Sequence, residues 1–382
     1  MIRLLEHEGK ALLARNGVRI PRGALYPDLT EDLSGDLVVK AQVLAGGRGK
    51  AGGIRFASGP DEARSIARDL IGFRIADATA SEVYIEERLA IASEYYLCAT
   101  VDRDLGVPVL LASREGGVEI EAVAAHNIMR RPVDPLIGLR AFMVDEIVRF
   151  LNPPEAARGA LARTIENLYA ALVAEDAELI EINPLALLED GSIVAADAKC
   201  VLDEDATFRH EARPQAFDGT PFEIAARKLG TIAIEMPGNI AAIMNGAGMT
   251  MATLDQIVSL GGEVQALVEL HGVMAHGPER IAEVIQLVGT LKPRVLLINI
   301  FFQFRSVDTI GQGLLLAKAR GVLPQDCKVI VRFRGEKAAE ARAILANVDC
   351  TLTGEFDEAC TLAVDYAREV PAREPARATR PT

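Results

Sequence analysis

The feature of this sequence that most constrains its fold is a regular alternation of apolar runs and helical patterns after Gly238. Each apolar run is followed by a turn and then by a segment with helical periodicity; the runs are NIAAIM, EVQALVEL, RVLLINI and CKVIVRF. Continuous apolar runs between helices are typical of parallel strands that are covered on both faces. We therefore expect a doubly wound parallel α/β sheet over residues 238–370.

The first part of the chain, residues 1–212, mixes strands and helices without such alternation, which predicts a separate domain. Its clearest predicted elements are a strand over 36–44 and a helix over 155–175. Proline and DG signals with little periodicity predict a linker over 213–237. The segment 371–382 is rich in Pro, Arg and Ala, and we expect a disordered tail.

Composition excludes several classes of function. A net charge of -13 disfavours nucleic-acid binding. No apolar run reaches the roughly 18 residues of a membrane span, so no membrane association is expected. The N-terminal stretch is interrupted by charges and predicts an amphipathic helix rather than a signal peptide. The five cysteines are scattered without C-x-x-C pairs, which disfavours disulfides and zinc and indicates a cytoplasmic protein.

A glycine-rich loop between two predicted strands is a candidate phosphate site. It contains two cations among five glycines, and its residues are Gly46, Gly47, Arg48, Gly49, Lys50, Ala51, Gly52 and Gly53. Glycines allow close backbone approach to a ligand. Ala51 follows Lys50 and no helix follows the loop, so neither a Walker A loop nor a dinucleotide fingerprint is present. The loop and Lys40, in an apolar strand, suit a nucleoside triphosphate; a flexible hairpin with a solvated lysine is the alternative.

A predicted hairpin near residue 190 is a candidate metal site. If Glu189-Asp190-Gly191 forms a three-residue loop, Asn183 lies opposite Asp197 and Glu181 lies opposite Lys199. These four side chains then share one face, because strand side chains alternate. Asn and Asp oxygens side by side suit Mg²⁺, although a solvated outer face remains the alternative.

Two further acids, Glu86 and Glu94, lie in apolar surroundings upstream of this hairpin. A carboxylate in such a context needs a polar partner. Either acid could bind the ribose or the base edge of a nucleotide.

Taken together, QVLAGGRGKAGG, EGGVEIE, LIEINPLAL and IMNGAGM resemble the beta subunit of succinyl-CoA synthetase over nearly the whole chain. The resemblance implies an ATP-grasp domain followed by a flavodoxin-like CoA-ligase domain. It also implies roles for individual residues: Lys40, the Gly46–Gly53 loop, Glu86 and Glu94 at the nucleotide, Asn183 and Asp197 at Mg²⁺, Glu181 at the partner's histidine, and Asn245 at the substrate.

The same resemblance implies a reaction divided between two subunits. A small carboxylic acid, CoA and ATP would give acyl-CoA, ADP and phosphate. A histidine on a separate alpha subunit, which also holds CoA, would carry the phosphoryl group between the sites. The chain would therefore act in a hetero-oligomer, and its own histidines are not expected to be phosphorylated.

The chain departs from the family at two loops of the second domain. Where the family has glycine turns that face the phosphate, this chain has Leu270–Val273 and Phe302–Gln303–Phe304. We expect Phe302, Gln303 and Phe304 to shape the substrate site of a ligase for an acid other than succinate. Three alternatives remain: transfer of an acyl phosphate to a non-CoA acceptor such as an amine, a non-catalytic docking module, or phenylalanines that only pack.

Overall fold

The computed structural model describes residues 1–29, 33–44, 46–76, 78–210, 219–302 and 306–369. The chain forms two compact units, Met1–Asp218 and Gly219–Thr382. None of the described helices combines the length and apolarity needed to cross a membrane.

Among the described residues, the first unit contains a seven-stranded antiparallel sheet, a four-stranded sheet and a two-stranded ribbon. Its strands are β1 (Ile2–Arg3), β2 (Gly23–Leu25), β3 (Leu37–Gln42), β4 (Ile54–Ala57), β5 (Arg74–Ile75), β6 (Ala78–Thr79), β7 (Glu82–Glu87), β8 (Ile91–Asp102), β9 (Val107–Ser113), β10 (Ile128–Pro132), β11 (Ala177–Leu188), β12 (Ile193–Ala195) and β13 (Lys199–Leu202). Its helices are α1 (Glu6–Arg15), α2 (Pro60–Leu70), α3 (Ala141–Leu151) and α4 (Glu155–Ala174).

The large sheet has the order β1-β13-β11-β8-β9-β10, with β12 also paired to β11. Helix α4 begins after two prolines, as predicted, and its apolar stripe is buried against the sheet at Leu161, Ile165, Leu168 and Leu172. Strand β11 sends Ile180 and Ile182 into the same core. Because side chains alternate, the opposite face of β11 is left for polar residues.

The small sheet has the order β2-β7-β3-β4, and all residues of β3 are buried. Helix α2 covers one face of this sheet with Ala63, Ala67 and Leu70. Lys40 therefore lies in the middle of a buried strand and needs polar partners there.

The second unit is a doubly wound sheet, as the alternation predicted. Its strands are β14 (Ile232–Glu235), β15 (Ile240–Met244), β16 (Val264–Glu269), β17 (Val295–Phe302), β18 (Lys328–Gly335) and β19 (Thr351–Thr353). Its helices are α5 (Pro221–Lys228), α6 (Ala247–Ser259), α7 (Gly277–Thr290), α8 (Asp308–Ala319), α9 (Ala338–Leu345) and α10 (Phe356–Glu369).

The strand order β14-β16-β15-β17-β18-β19 has a flavodoxin-like parallel core, in which β15 is the first strand and β16 lies beside it. Strand β14 is an antiparallel edge. Separate apolar clusters cover the two faces of the sheet. The chain crosses from one side of β15 to the other between β16 and β17, and ligands of such folds bind at the carboxyl ends of strands at this point.

The structure differs from the predicted linker over part of its length, because α5 and β14 lie between residues 221 and 235. Thr220 and Glu223 form a capping box, with Thr220 N donating to Glu223 Oε2 at 2.9 Å. Pro221 occupies the first turn, where proline is favoured, so it starts a helix rather than breaking one. Residues 213–218 of the predicted linker and the predicted tail, 371–382, lie outside the described residues.

Candidate active site

Lys40 is held by two carboxylates that come from different elements. Its Nζ lies 2.8 Å from Glu6 Oε1, on α1, and 2.7 Å from Glu86 Oε1, on β7. It also donates to the carbonyl of Ala196 at 2.9 Å. The lysine is 7% exposed, so these contacts supply the partners that its burial requires.

Helix α1 contributes a second cation to the same place. Lys10 lies one turn after Glu6, with its Nζ 2.7 Å from Glu6 Oε1, and it also pairs with Glu86. Its side chain is fully buried. Neither Glu6 nor Lys10 was predicted as a site residue, although an acid and a lysine at i and i+4 on one helical face indicate such a pair.

The glycine-rich loop adds the third cation through Arg48. Its Nη1 lies 2.6 Å from Glu6 Oε2, and its Nη2 lies 3.0 Å from both carboxylate oxygens of Asp197. Three cations thus face three carboxylates. We call this set the six-charge cluster; its members are Glu6, Lys10, Lys40, Arg48, Glu86 and Asp197.

The pKa shifts within the six-charge cluster follow from burial and pairing. Burial alone would raise the pKa of Glu6, but Lys10, Lys40 and Arg48 hold it well below its usual value. Burial would also lower the pKa of Lys40, but the carboxylates, with Glu6 foremost, raise it. Glu6 and Lys40 are therefore charged at neutral pH.

Asp197 behaves differently from Glu6. Burial and the neighbouring charge of Glu6 raise its pKa, and Arg48 and Lys40 only partly oppose this. A carboxylate with a raised pKa is one whose negative charge is incompletely compensated. Additional positive charge beside Asp197 would therefore be stabilising.

The predicted hairpin register is confirmed. Glu181 on β11 pairs with Lys199 on β13, and Leu185 on β11 pairs with Ala195 on β12. The strand register is the same in both pairs, although residues 196–198 between β12 and β13 belong to neither strand. This offset brings Asn183 opposite Asp197. Ile180 and Ile182 point into the core, so the polar face of the hairpin lies on the predicted side.

Asn183 is oriented by the segment between β9 and β10. Its Oδ1 accepts the Gly117 N–H at 2.7 Å, and its Nδ2 donates to the carbonyl of Val118 at 2.8 Å. An amide oxygen has two lone pairs, so one remains for a cation. Asn183 and Asp197 thus fit Mg²⁺, which binds few protein ligands and keeps waters and phosphate oxygens for the rest. The described residues contain no group of three or more acids, histidines or cysteines that could hold a metal ion.

Glu94 approaches the same segment from β8. A Cβ at Gly117, whose φ is +72°, would lie 2.2 Å from Glu94 Oε2. Glycine at this position therefore allows the carboxylate and the segment that holds Asn183 to approach each other. Glu86, in contrast, has both oxygens in contact with lysines of the six-charge cluster.

Glu181 lies on the polar face of β11 and is half-buried. The Tyr96 hydroxyl donates to its Oε2 at 3.5 Å, and burial raises its pKa despite the opposing charge of Lys199. A carboxylate of raised pKa is suited to accept a hydrogen bond from a ligand that approaches this face of β11.

The glycine-rich loop is a turn with open space around it. Gly47 and Gly52 have φ values of +74° and +79°, and no atom lies within 4 Å of a Cβ built on either residue. Gly53 N donates to Arg48 O at 2.9 Å, which closes the turn. Lys50 is exposed and pairs with Glu119 at 2.6 Å, so it does not join the six-charge cluster.

In the second unit, Asn245 joins two neighbouring strands. Its Nδ2 donates to Phe301 O at 2.7 Å, and its Oδ1 accepts the Phe301 N–H at 2.9 Å. Phe302 continues β17, pairs with Gly335 and packs against the core. This burial supports the packing interpretation for Phe302; Gln303 and Phe304 lie outside the described residues.

Just before the other altered loop, Leu270–Val273, the Glu269 carboxylate lies at the start of α6. Glu269 Oε1 accepts the N–H groups of Gly246 at 2.7 Å and of His271 at 2.9 Å. Leu270 and Val273 turn into the core. A position at which a helix N-terminus would attract an anion is therefore filled by the chain's own side chain.

The antiparallel sheets, the glycine-rich loop and the polar hairpin of the first unit define the class of protein. Residues 3–187 match the model of the ATP-grasp domain family. The chain is also similar over its full length to an ATP citrate lyase structure from Methanothrix soehngenii, with a TM-score of 0.77, 20% identity, and coverage of 95% of this chain and 99% of that one. This likeness shows a shared fold.

Curated relatives narrow the class to one family. The chain is 36% identical to the succinate–CoA ligase (ADP-forming) subunit beta of Desulfurococcus amylolyticus, over 97% of this chain and 100% of that protein. It is also 36% identical to the same subunit of Chloroflexus aurantiacus, over 96% and 99% of the two chains. The chain belongs to the family of succinate–CoA ligase (ADP-forming) beta subunits, which are ATP-dependent CoA ligases.

Proposed function

We propose that this chain is the nucleotide-binding beta subunit of an ADP-forming acyl-CoA synthetase. It would join a small carboxylic acid to CoA with ATP, through a phosphohistidine on a separate alpha subunit. The observation that carries this proposal is the six-charge cluster beside the polar hairpin, which brings Lys40 and Arg48 together with the Asp197 carboxylate at a glycine-rich loop. Cations and open backbone suit a triphosphate.

The proposed roles follow from position. Lys40, Arg48 and the backbone of the Gly46–Gly53 loop bind the phosphates, and Lys50 extends the positive surface of the loop. Asn183 and Asp197 hold Mg²⁺, which when bound neutralises charge on the phosphates. Glu94 contacts the nucleoside part. Glu86, whose two oxygens pair with Lys10 and Lys40, takes part in nucleotide binding by holding Lys40.

Glu181 acts as a positioning residue for the partner's histidine. Its raised pKa and its place on the face of Asp197 support this role. Asn245, which follows β15, contacts the acyl group. The assignment of Phe302, Gln303 and Phe304 to the acyl pocket rests on the sequence alone.

A second candidate, transfer of an acyl phosphate to a non-CoA acceptor, is favoured by one observation. The Glu269 carboxylate caps α6, where a negative phosphate would otherwise be attracted. Both candidates use the same nucleotide site and differ in the acceptor, so one experiment separates them.

The test is coexpression with the alpha-like subunit, followed by incubation with labelled ATP, Mg²⁺ and a panel of carboxylic acids with CoA or amines. We expect acid-labile phosphate on the partner's histidine, discharged by one acid together with CoA. Amide formation without phosphohistidine would establish the second candidate. Absence of ATP turnover with every acid and acceptor would contradict both and leave a docking role.

Nucleotide binding is tested on this chain with two aspartates of one hairpin. Asp197→Asn should abolish Mg²⁺-dependent ATP binding in calorimetry. Asp190→Asn is the matched control, because Asp190 bonds only within its exposed loop, to Ser192. Equal ATP affinity in both variants would refute the metal role of Asp197.

We also propose that the enzyme works in the cytoplasm as a hetero-oligomer. All five cysteines are described and none forms a disulfide. Four of them are buried, which suits a reducing compartment. Fractionation of cells that express the tagged chain tests the location.

A further inference from the structure

The Arg48 guanidinium lies between two carboxylates that belong to different parts of the first unit. It contacts Glu6 through Nη1 and both oxygens of Asp197 through Nη2, and its side chain is 10% exposed. Asp197 Oδ1 also accepts the Ala198 N–H at 2.7 Å. The proposed metal ligand is thus already bound by a cation of the protein.

Charge balance shows why this contact cannot persist unchanged when a metal–nucleotide complex binds. The six-charge cluster is neutral as it stands, with three cations and three carboxylates. A divalent cation at Asp197 would be repelled by a guanidinium on the same carboxylate. A triphosphate brings negative charge that needs a cation. Transfer of Arg48 from Asp197 to the phosphates meets both requirements.

The two partners differ in freedom to move. Arg48 belongs to the glycine-rich loop, where Gly46, Gly47 and Gly52 have open space around the Cβ position. Asp197 lies between β12 and β13, both paired to β11, and is fixed by the contact with Ala198. The guanidinium is therefore the partner that changes place.

We infer that Arg48 is an internal cation that holds Asp197 in the nucleotide-free protein and passes to the phosphates when Mg²⁺ and nucleotide bind. Arg48 thereby excludes metal from Asp197 until a triphosphate is present, and couples the two binding events. This inference rests on the proposed function in one respect, the assignment of Asp197 to Mg²⁺.

The first test measures Mg²⁺ binding to the nucleotide-free full chain by isothermal titration calorimetry. Because an adjacent cation changes the affinity of a carboxylate for a positive charge by roughly tenfold or more, Arg48→Gln should bind Mg²⁺ at least about tenfold more tightly than wild type. Arg64→Gln is the matched control, since it removes the same charge from an exposed arginine of α2 that pairs with Asp61, and it should match wild type. The double variant Arg48→Gln/Asp197→Asn should lose the gain.

The second test does not require Arg48 to be replaced, so it remains informative where Arg48→Gln fails to fold. Asp197→Asn releases the guanidinium, and ATP should then bind more tightly than to wild type in the presence of EDTA, by about fivefold to tenfold. Asp190→Asn, on the same hairpin, should leave metal-free ATP affinity unchanged. The same Asp197→Asn variant is expected to bind ATP no more tightly when Mg²⁺ is added.

The outcomes separate this inference from the proposed function. The inference would be overturned by equal Mg²⁺ affinity in wild type and Arg48→Gln, or by unchanged metal-free ATP affinity in Asp197→Asn. Mg²⁺-dependent ATP binding by wild type in the same experiments would still uphold the proposed function. Failure of wild type to bind Mg²⁺–ATP would overturn both.

Discussion

At the scale of single residues, Glu6 determines the arrangement of the nucleotide site. One carboxylate contacts all three cations of the six-charge cluster, Lys10 and Lys40 through Oε1 and Arg48 through Oε2. Without Glu6, three positive charges would face only Glu86 and Asp197. Since the side chain is 3% exposed, water cannot replace it.

Replacing Glu6 by Gln should therefore destabilise the chain strongly. Leaving buried cations without their shared partner costs about 3–5 kcal/mol, which denaturant unfolding would measure. Glu166→Gln, at an exposed position of α4, should change the free energy of unfolding by less than about 0.5 kcal/mol. A loss below about 1 kcal/mol in Glu6→Gln would show that the cluster does not depend on Glu6.

Wild type and Glu6→Gln should also differ in how their stability depends on pH. The folded-state pKa of Glu6 lies well below its unfolded value, which is about 4.3, so its stabilisation is fully present above that value. It is lost as the pH falls from about 4.3 through the folded pKa. The difference in unfolding free energy between wild type and Glu6→Gln should therefore be constant near neutral pH and shrink at acid pH. A difference that grew on acidification would contradict the assignment of the lowered pKa.

At the scale of secondary-structure elements, the end of strand β17 shows how a missing side chain permits two strands to pair closely. Strand β17 continues through Phe302, which pairs with Gly335 at the end of β18. Gly335 has a φ of +122°, and a Cβ there would lie 1.9 Å from Phe302 O. The extended strand thus depends on the absence of a side chain opposite it.

Gly335→Ala should accordingly separate the ends of β17 and β18. The expected loss of stability is larger than that of Gly321→Ala. At Gly321 φ is +62° and a Cβ would meet open space, so the substitution has only the left-handed backbone cost of about 1–2 kcal/mol. Thermal unfolding of the two variants makes the comparison. Equal shifts in Tm would show that Phe302 does not pack closely against Gly335.

Secondary-structure elements with a periodic apolar pattern or a strand-pairing signal were predictable from the sequence, whereas contacts between residues far apart in the chain were not. The offset of the hairpin at Asp190 followed from loop length and alternation alone, because a strand pair repeats regularly. Lys40 was recognisable as a buried cation, but its partners Glu6 and Glu86 come from distant elements that only the fold brings together. The helix at Pro221 was missed because its prolines were interpreted as breaks, although a Thr-x-x-Glu capping box marks a helix start.

At the scale of the whole molecule, the two units have separate cores. The apolar clusters of the first unit draw on residues up to 202, and those of the second draw on residues from 222 onward. Every member of the six-charge cluster, together with Asn183 and Glu94, belongs to the first unit. All of these residues of the proposed nucleotide site therefore belong to one unit.

A fragment of residues 1–218 should consequently fold and bind Mg²⁺–ATP with an affinity within about threefold of the full chain, since each unit has its own core. Circular dichroism and calorimetry would measure folding and binding. Asp197→Asn in the fragment is the control for binding at the proposed site. The fragment should form no acyl-CoA with the alpha-like subunit, because Asn245 and Phe302 belong to the second unit. A folded fragment that failed to bind nucleotide would show that the second unit completes the ATP site.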